Sequence, residues 1–300
     1  AHQSMCSPTI STILKAIRHG FLDKYPNLSA KGVTRYLNPS PATAKGHMKR
    51  PKKGIRSTTK PKIAPPPPNP VPNAGVEAHV PEPIAPPGPA MSKDNDSDDS
   101  IANVFCFGAF ADKISGVIYN DLTGNFPFMS LDGSICFFVL YHYETNSILA
   151  TPIANLQETT ILDAFKANFE MLEAKGYLPK VNVMDNQATK YIKLFLSNKG
   201  CKLQLVEPNN HRVNAAERAI QTFKDAFIAA LATTDVNFPL QLWDKLAPQV
   251  QDTLNLLRKS RSTPGISAYE ALNGPYDWGR YPLAPVGCKA IIYEAPAIRG

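Results

Sequence analysis

Apolar and polar positions change period several times along this chain, and each change marks an element. SGVIYN (Ser115–Asn120) predicts a strand that ends at Asp121, and ICFFVLYHY (Ile135–Tyr143) a strongly apolar, aromatic one. Asp132-Gly133 and Thr145-Asn146 read as hairpin turns, and Ser147–Ile153 returns as a third strand. Over Glu158–Lys175 the period lengthens to that of a helix: Ile161, Leu162, Phe165, Phe169 and Leu172 share one face, and Gly176 lies just past its end. Val181–Met184 is a short strand ending at Asp185, followed by a helix over Thr189–Asn198 and a strand over Lys202–Val206. Pro208 breaks the chain. A long helix then occupies Val213–Ala232, with Ile220, Phe223, Phe227 and Leu231 as an apolar stripe, and another starts near Pro239. Leu242, Trp243, Leu246, Leu254 and Leu257 read as core.

Three consecutive strands followed by alternating helices and strands predict an α/β fold, a mixed five-stranded sheet flanked by helices. This is how an RNase H-like fold is laid out. The expected boundaries of this core are 101–275, with a short extension over 276–300.

The first hundred residues follow no such pattern. SPTISTILKAIRHGFL (residues 7–22) predicts a short helix capped by Ser11 or Thr12, with Ile13, Leu14, Ile17 and Phe21 at helical spacing. SAKGVTRYLN predicts a second, weaker helix capped by Ser29. This small helical segment, residues 1–62, is strongly basic. Residues 1–63 carry thirteen Lys and Arg against one Asp, residues 64–100 one Lys against six acids, and residues 101–300 eighteen of each. The basicity therefore belongs entirely to the N-terminal segment, whose surplus of twelve is cut to the net +7 by the acidic linker, and that segment is the natural place for polyanion contact. Residues 63–100 hold Pro65–Pro68 and seven further prolines before the acidic run SKDNDSDDS. Prolines donate no backbone hydrogen bond, so a disordered linker is expected, a spacer more than a ligand.

Five scattered cysteines without a CxxC fit reduced thiols, with Cys106 and Cys136 expected to be buried and inert. There is no apolar run of eighteen residues and no secretory signal pattern, so the expected location is the nucleus and cytoplasm, away from membranes. The chain opens without an initiator Met, as a segment of a longer reading frame would.

Three acids stand at informative places: Asp121 and Asp185 at the ends of the first and fourth strands, and Glu217 in the first turns of the long helix. Neighbouring strand ends would set these carboxylates side by side, where they repel unless a cation neutralises them. Hard oxygen donors suit Mg²⁺ or Mn²⁺; two such ions activate an attacking oxygen and stabilise a leaving oxygen at a phosphodiester. Position alone leaves alternatives, because Asp is a common turn former. Asp112 or Asp132 could stand in for Asp121, and Glu207 for Glu217.

From DLTGNFP (Asp121–Pro127) the chain resembles the integrase core of copia-type LTR retrotransposons. MDNQAT (Met184–Thr189), HRVNAAERAIQTFKDAF (His211–Phe227), TLNLLRKSRSTPGISAYEALNG (Thr253–Gly274) and PLAPVG (Pro282–Gly287) follow in that family's order. The resemblance covers roughly residues 105–290, and its specific parts are NAAER and SxxPxxSAYExLxG. It implies that Asp121, Asp185 and Glu217 hold the metals, and that the activity is phosphodiester cleavage and DNA strand transfer. It also implies DNA, both element ends and target, as partner, and assembly with further copies when active. Lys224 lies two helical turns after Glu217 on the same face, so its ammonium could meet a phosphate; an intrahelical pair is the alternative. Gln221, Arg218 and the loop residues His211 and Arg212 are weaker DNA candidates. Lys49, Arg50, Lys52 and Lys53 could bind phosphate or serve nuclear import. Ser267 and Glu270 have capping-box spacing, so Glu270 is expected to be structural.

Integrases of this class usually carry a His/Cys zinc module before the core. Here His2, Cys6, His19 and His47 occur without a CxxC to complete a tetrahedral site, so no zinc finger is expected. The chain also stops short of a C-terminal DNA-binding domain. A second reading is therefore a catalytically inactive nucleic-acid-binding fragment of a decayed or domesticated element. A Holliday-junction-type nuclease of the same fold is disfavoured by NAAER and the block after it.

Overall fold

The computed structural model describes residues 1–48, 115–184, 188–205 and 215–291. Strand β2 (Cys136–His142) is buried at every position, which a strand achieves only where both faces of its sheet are covered. Its neighbours are β1 (Val117–Leu122) and β3 (Ser147–Ile153), both antiparallel to it. On its other side β1 pairs in parallel with β4 (Val181–Met184), and β4 with β5 (Lys202–Leu205). The order β3-β2-β1-β4-β5 is the mixed, RNase H-like sheet that the pattern predicted.

Side chains alternate along a strand, so each strand feeds two cores. One face sends Ile118, Phe138, Leu140 and Leu149 against Phe165, Phe169 and Leu172 of α4 (Glu158–Ala174) and Ile192 and Leu196 of α5 (Lys190–Asn198). The other sends Phe137, Val139, Tyr141 and Ile148 against Ala219, Ile220, Phe223 and Phe227 of α6 (Ala215–Leu231). A 3₁₀ helix (Leu240–Leu246) and α7 (Ala247–Leu256) complete this second layer through Trp243, Leu246 and Val250. Phe137 meets Phe223 and Phe227 edge-on, with centroids 5.1 Å apart in both pairs. Such pairs add roughly 0.5–1.5 kcal/mol each beyond simple burial.

Several boundaries differ from expectation for local reasons. β1 runs through Leu122 because Asp121 and Leu122 still pair with Val139 and Phe138, so Asp121 lies inside the strand and not after it. Helix α1 (Ile10–Arg18) is capped by Thr9, whose side chain accepts from the Thr12 amide, and not by Ser11 or Thr12. Gly20, at φ 78°, then turns the chain away from the helix. Ser29 does cap α2 (Ala30–Tyr36), and Ser267 accepts from the Glu270 amide at the start of α8 (Ala268–Asn273). An unexpected short helix, α3 (Pro41–Gly46), has proline in its first turn. The residue after Pro239 opens a 3₁₀ turn before the α-helix proper. The proline-rich and acidic linker, Cys106 and the 49–62 stretch lie outside the described residues. Cys136 is buried as expected.

Residues 1–48 share one compact unit with the sheet and its helices. Met5, Ile13, Phe21, Leu22 and Val33 form a small core that takes in Leu257, and Tyr25 packs edge-on against Trp278 at 4.9 Å. Among the described residues no helix is long and apolar enough to cross a membrane.

Two buried polar features sit inside this frame. The Asn120 side-chain amide donates to the Asn182 carbonyl, joining β1 to β4 beneath α4 and α5. Among the described residues, Asn120 Oδ1 and Asn182 Nδ2 have no partner. His142 is fully buried, with Nδ1 bonded to Thr145 Oγ1 at 2.8 Å and its ring edge-on to Tyr177. Burial pushes its pKa down to about 4 from the ordinary 6.5.

Replacing either Asn120 or Asn182 alone with Leu strands the other amide and should cost about 1–3 kcal/mol in urea unfolding. The double replacement should cost less than the two singles combined; strictly additive losses would show that the amides do not act as a pair. For His142 the folded pKa lies below the unfolded one, so its neutral form carries the stability. That contribution is complete above pH 6.5 and is lost as pH falls towards 4. Wild-type protein should lose roughly 2–3 kcal/mol more than His142→Gln between pH 7 and 4.5, and parallel profiles would refute the assignment.

Candidate active site

Asp121 is the penultimate residue of β1 and stands opposite Val139 in the β1–β2 register. Val139 belongs to the layer under α6, as does Tyr119 two residues before Asp121. Alternation therefore turns the Asp121 side chain to the α6 face and sends Asn120 and Leu122 to the α4–α5 face. The carboxylate is half-buried, and its Oδ1 accepts from the Leu122 amide at 2.7 Å.

The DLTGNFP run holds this strand end in place. Thr123, buried, donates its amide to the Phe137 carbonyl and accepts the Phe137 amide on Oγ1 at 3.0 Å. Phe126 stacks on Trp243 with centroids 4.4 Å apart. Further along, buried Asp244 accepts from Ser130 Oγ at 2.8 Å, and the Leu131 amide bonds to the Gln241 carbonyl. The chain leaving Asp121 is thus tied to the 3₁₀ helix, while Phe128, Met129 and Leu131 remain exposed.

Glu217 lies in the first turn of α6, exposed, between buried Ala216 and Ala219. The structure therefore brings Asp121 and Glu217 to the same side of the sheet. Asp185 lies outside the described residues, one position after the last residue of β4. No group of three His, Cys, Asp or Glu side chains able to hold a metal occurs among the described residues. The carboxylate oxygens of Asp121 and Glu217 are hard donors of the kind that suits Mg²⁺ or Mn²⁺.

Of the alternatives, Asp132 is on an exposed turn in an ion pair with Lys245, on the chain beyond the Phe126 anchor. Asp112 and Glu207 lie outside the described residues, as do His211, Arg212, Lys49, Arg50, Lys52 and Lys53. Lys224 is half-buried on α6 and forms no ion pair among the described residues. Its neighbour Asp225 is engaged by the Gln221 amide and by His47 at 3.3 Å. Gln221 is therefore turned along its own helix. Arg218 is exposed in the same turn as Glu217.

Sequence reading missed several groups that burial perturbs, His142 among them. Burial pushes Asp252 of α7 up to about 6, near Tyr269 and Tyr276. Burial also lowers Arg258, which donates from Nε to the Asn146 carbonyl at 2.8 Å and so secures the β2–β3 turn. Only the apolar company of these residues in their segments, Leu254 through Leu257, hints at it. Burial raises the thiols of Cys6 and Cys201 to about 11, which leaves them protonated and unreactive at neutral pH.

No protein-family model matches the chain, and no curated protein matches its sequence. Among solved structures it is similar to the HTLV-2 integrase catalytic core domain in complex with magnesium, in a trimeric and a dimeric form. The trimeric form is 14% identical, covering 54% of this chain and 99% of that one, with a TM-score of 0.41. The dimeric form is 15% identical, covering 50% of this chain and 96% of that one, with a TM-score of 0.38. The fold assignment stands on this chain's own strand order and helix placement.

Proposed function

We propose that this chain is the integrase core of a copia-type LTR retrotransposon, cutting and joining DNA phosphodiesters with Asp121, Asp185 and Glu217. The observation that carries the reading is the parallel pairing of β1 with β4. Asp121 faces α6 near the end of β1, the chain continues from the matching end of β4 directly into Asp185, and α6 begins at Glu217's turn. In this reading residues 101–275 are the catalytic core, 1–62 a basic segment before it, 63–100 a linker and 276–300 a C-terminal extension.

Two Mg²⁺ or Mn²⁺ ions, when bound, would supply the charge that activates the attacking oxygen and stabilises the leaving one. The chain's own part is to hold three carboxylates at one point and to orient DNA across them. Water attacks phosphorus in nicking, and a DNA 3′-hydroxyl attacks it in strand transfer. In both, one P–O bond forms as another breaks, and the leaving 3′-oxygen takes up a proton. Lys224, on the Glu217 face of α6, meets a phosphate next to the reacting one, with Arg218, His211 and Arg212 as further contacts. Lys49, Arg50, Lys52 and Lys53 add non-specific phosphate binding. The partners are element-end and target DNA and further copies of the chain.

In a strand-transfer assay with Mg²⁺, Asp121→Asn, Asp185→Asn and Glu217→Gln should each cut product at least about 100-fold. DNA affinity in the absence of metal should stay within about twofold of wild type, and Lys224→Ala should flatten its salt dependence by about one unit of slope. Product surviving Asp185→Asn would place the chemistry elsewhere. Wild-type protein that binds DNA but makes no product would favour the inactive, domesticated fragment.

A further inference from the structure

Helix α6 is held on two sides. Ala219, Ile220, Phe223, Phe227 and Ala230 face the sheet. A second face, Asp225 and Ala229, together with Thr233 in the turn just past the helix end, meets the N-terminal arm of residues 1–48. Gly46, the last residue of α3, sits so close that a Cβ there would lie 2.4 Å from the Asp225 carbonyl oxygen and 2.8 Å from Ala229 Cβ. Its φ is not positive, so glycine is required at this position by space and not by conformation.

Polar ties flank this contact. His47 Nδ1 pairs with Asp225 at 3.3 Å, and Ser7 Oγ bonds to Thr233 Oγ1 at 2.8 Å. Thr43 Oγ1 donates to the Ser7 carbonyl at 2.8 Å, joining the two halves of the arm. The same arm reaches α7: Thr253 Oγ1 donates to Cys6 Sγ at 3.3 Å, and Gln249 Nε2 to the Ser4 carbonyl at 3.1 Å. The seam is not filled. A cavity of about 270 Å³ remains in it, walled by Thr9, Thr12, Thr222, Ala226 and Leu254 among others. Small side chains, a few hydrogen bonds and an open seam describe a joint weaker than the aromatic core on the other side of the helix.

We propose that residues 1–48 are a positioning brace for α6, with Gly46 as its seat. The sheet holds α6 through apolar and aromatic contacts that are non-directional. The arm adds local contacts at 225 and 229 on the helix and at 233 just past its end, and these fix its translation and rotation. They thereby fix where its first turn presents Glu217. The catalytic consequence rests on the proposed role of Glu217; the mechanical part does not.

The test uses the full chain carrying Gly46→Ala. The added methyl should release the arm, seen as protease cleavage within residues 1–48. Amide exchange across residues 215–231 should accelerate about tenfold or more, while the β2–β3 hairpin keeps its protection. In the Mg²⁺ strand-transfer assay kcat should fall about tenfold with KM for DNA within about twofold, as expected when a catalytic group is misplaced and binding is not. Should Gly46→Ala also lose hairpin protection, His47→Ala combined with Ser7→Ala decides, since it cuts two ties without a clash and should give the same changes on a smaller scale. An arm released by either variant with α6 exchange unchanged overturns the brace. So does a loosened α6 with kcat unchanged in an active protein. A loosened α6 in a chain whose wild type makes no product would support the brace and refute the integrase reading.

Discussion

The register of β1 is the constraint on which the rest of the molecule depends. β1 is paired on both edges, antiparallel to β2 and parallel to β4, and its two faces look into different cores. Because side chains alternate with period two, a slip of one residue would exchange Asp121 with Asn120. A carboxylate would then sit beneath α4 and α5, among Phe138, Phe165 and Leu196, at a desolvation cost of several kcal/mol. The buried Asn120–Asn182 pair opposes such a slip, because each amide would lose its partner in any other register. A polar pair between strands thus specifies alignment more than it adds stability.

The second consequence of this register concerns α6. Its sheet-facing stripe is almost entirely Phe, Ile and Ala, and its aromatic rings interlock with Phe137, Phe126 and Trp243. The proposed catalytic turn lies at the helix's opposite, exposed end, beyond this interlock. Rigid packing at one end and an exposed carboxylate at the other suit a group that must meet a large polyanionic substrate. The arm and the chain after Gly274 close around the same helices: Val286 enters the core under α6, and Gln249 bonds to the Ala284 carbonyl.

Among the described residues, burial shifts several groups that belong to the frame and not to the proposed chemistry. His142, Asp252 and Arg258 belong to the frame: one is sealed behind the β2–β3 hairpin, one lies against tyrosines, and one secures a turn. Perturbation marks functional sites where a cleft accompanies it, and here it marks joints. A site meant to gather carboxylates around cations needs oxygens that cations and DNA can reach, and a half-buried Asp121 and an exposed Glu217 offer them.

Most of the fold was legible in the chain itself. The apolar runs at 136–142 and 147–153, the helical stripe through Phe165, Phe169 and Leu172, and caps at Ser29 and Ser267 are local signals, decided by residues a few positions apart. The proposed acids come from the same local reading, because predicted strand ends and ordered sequence blocks single them out. What distant residues decide could not be read this way. That β1 continues through Asp121 depends on Val139 and Phe138 arriving opposite it. That Asn120 and Asn182 meet depends on a crossover of sixty residues. Only the fold shows the basic-looking N-terminal arm to be part of the main body, because its attachment joins residues some 180 or more positions apart, among them one glycine whose missing Cβ lets it approach α6. Close approach leaves no period and no motif; it exists only where two surfaces meet.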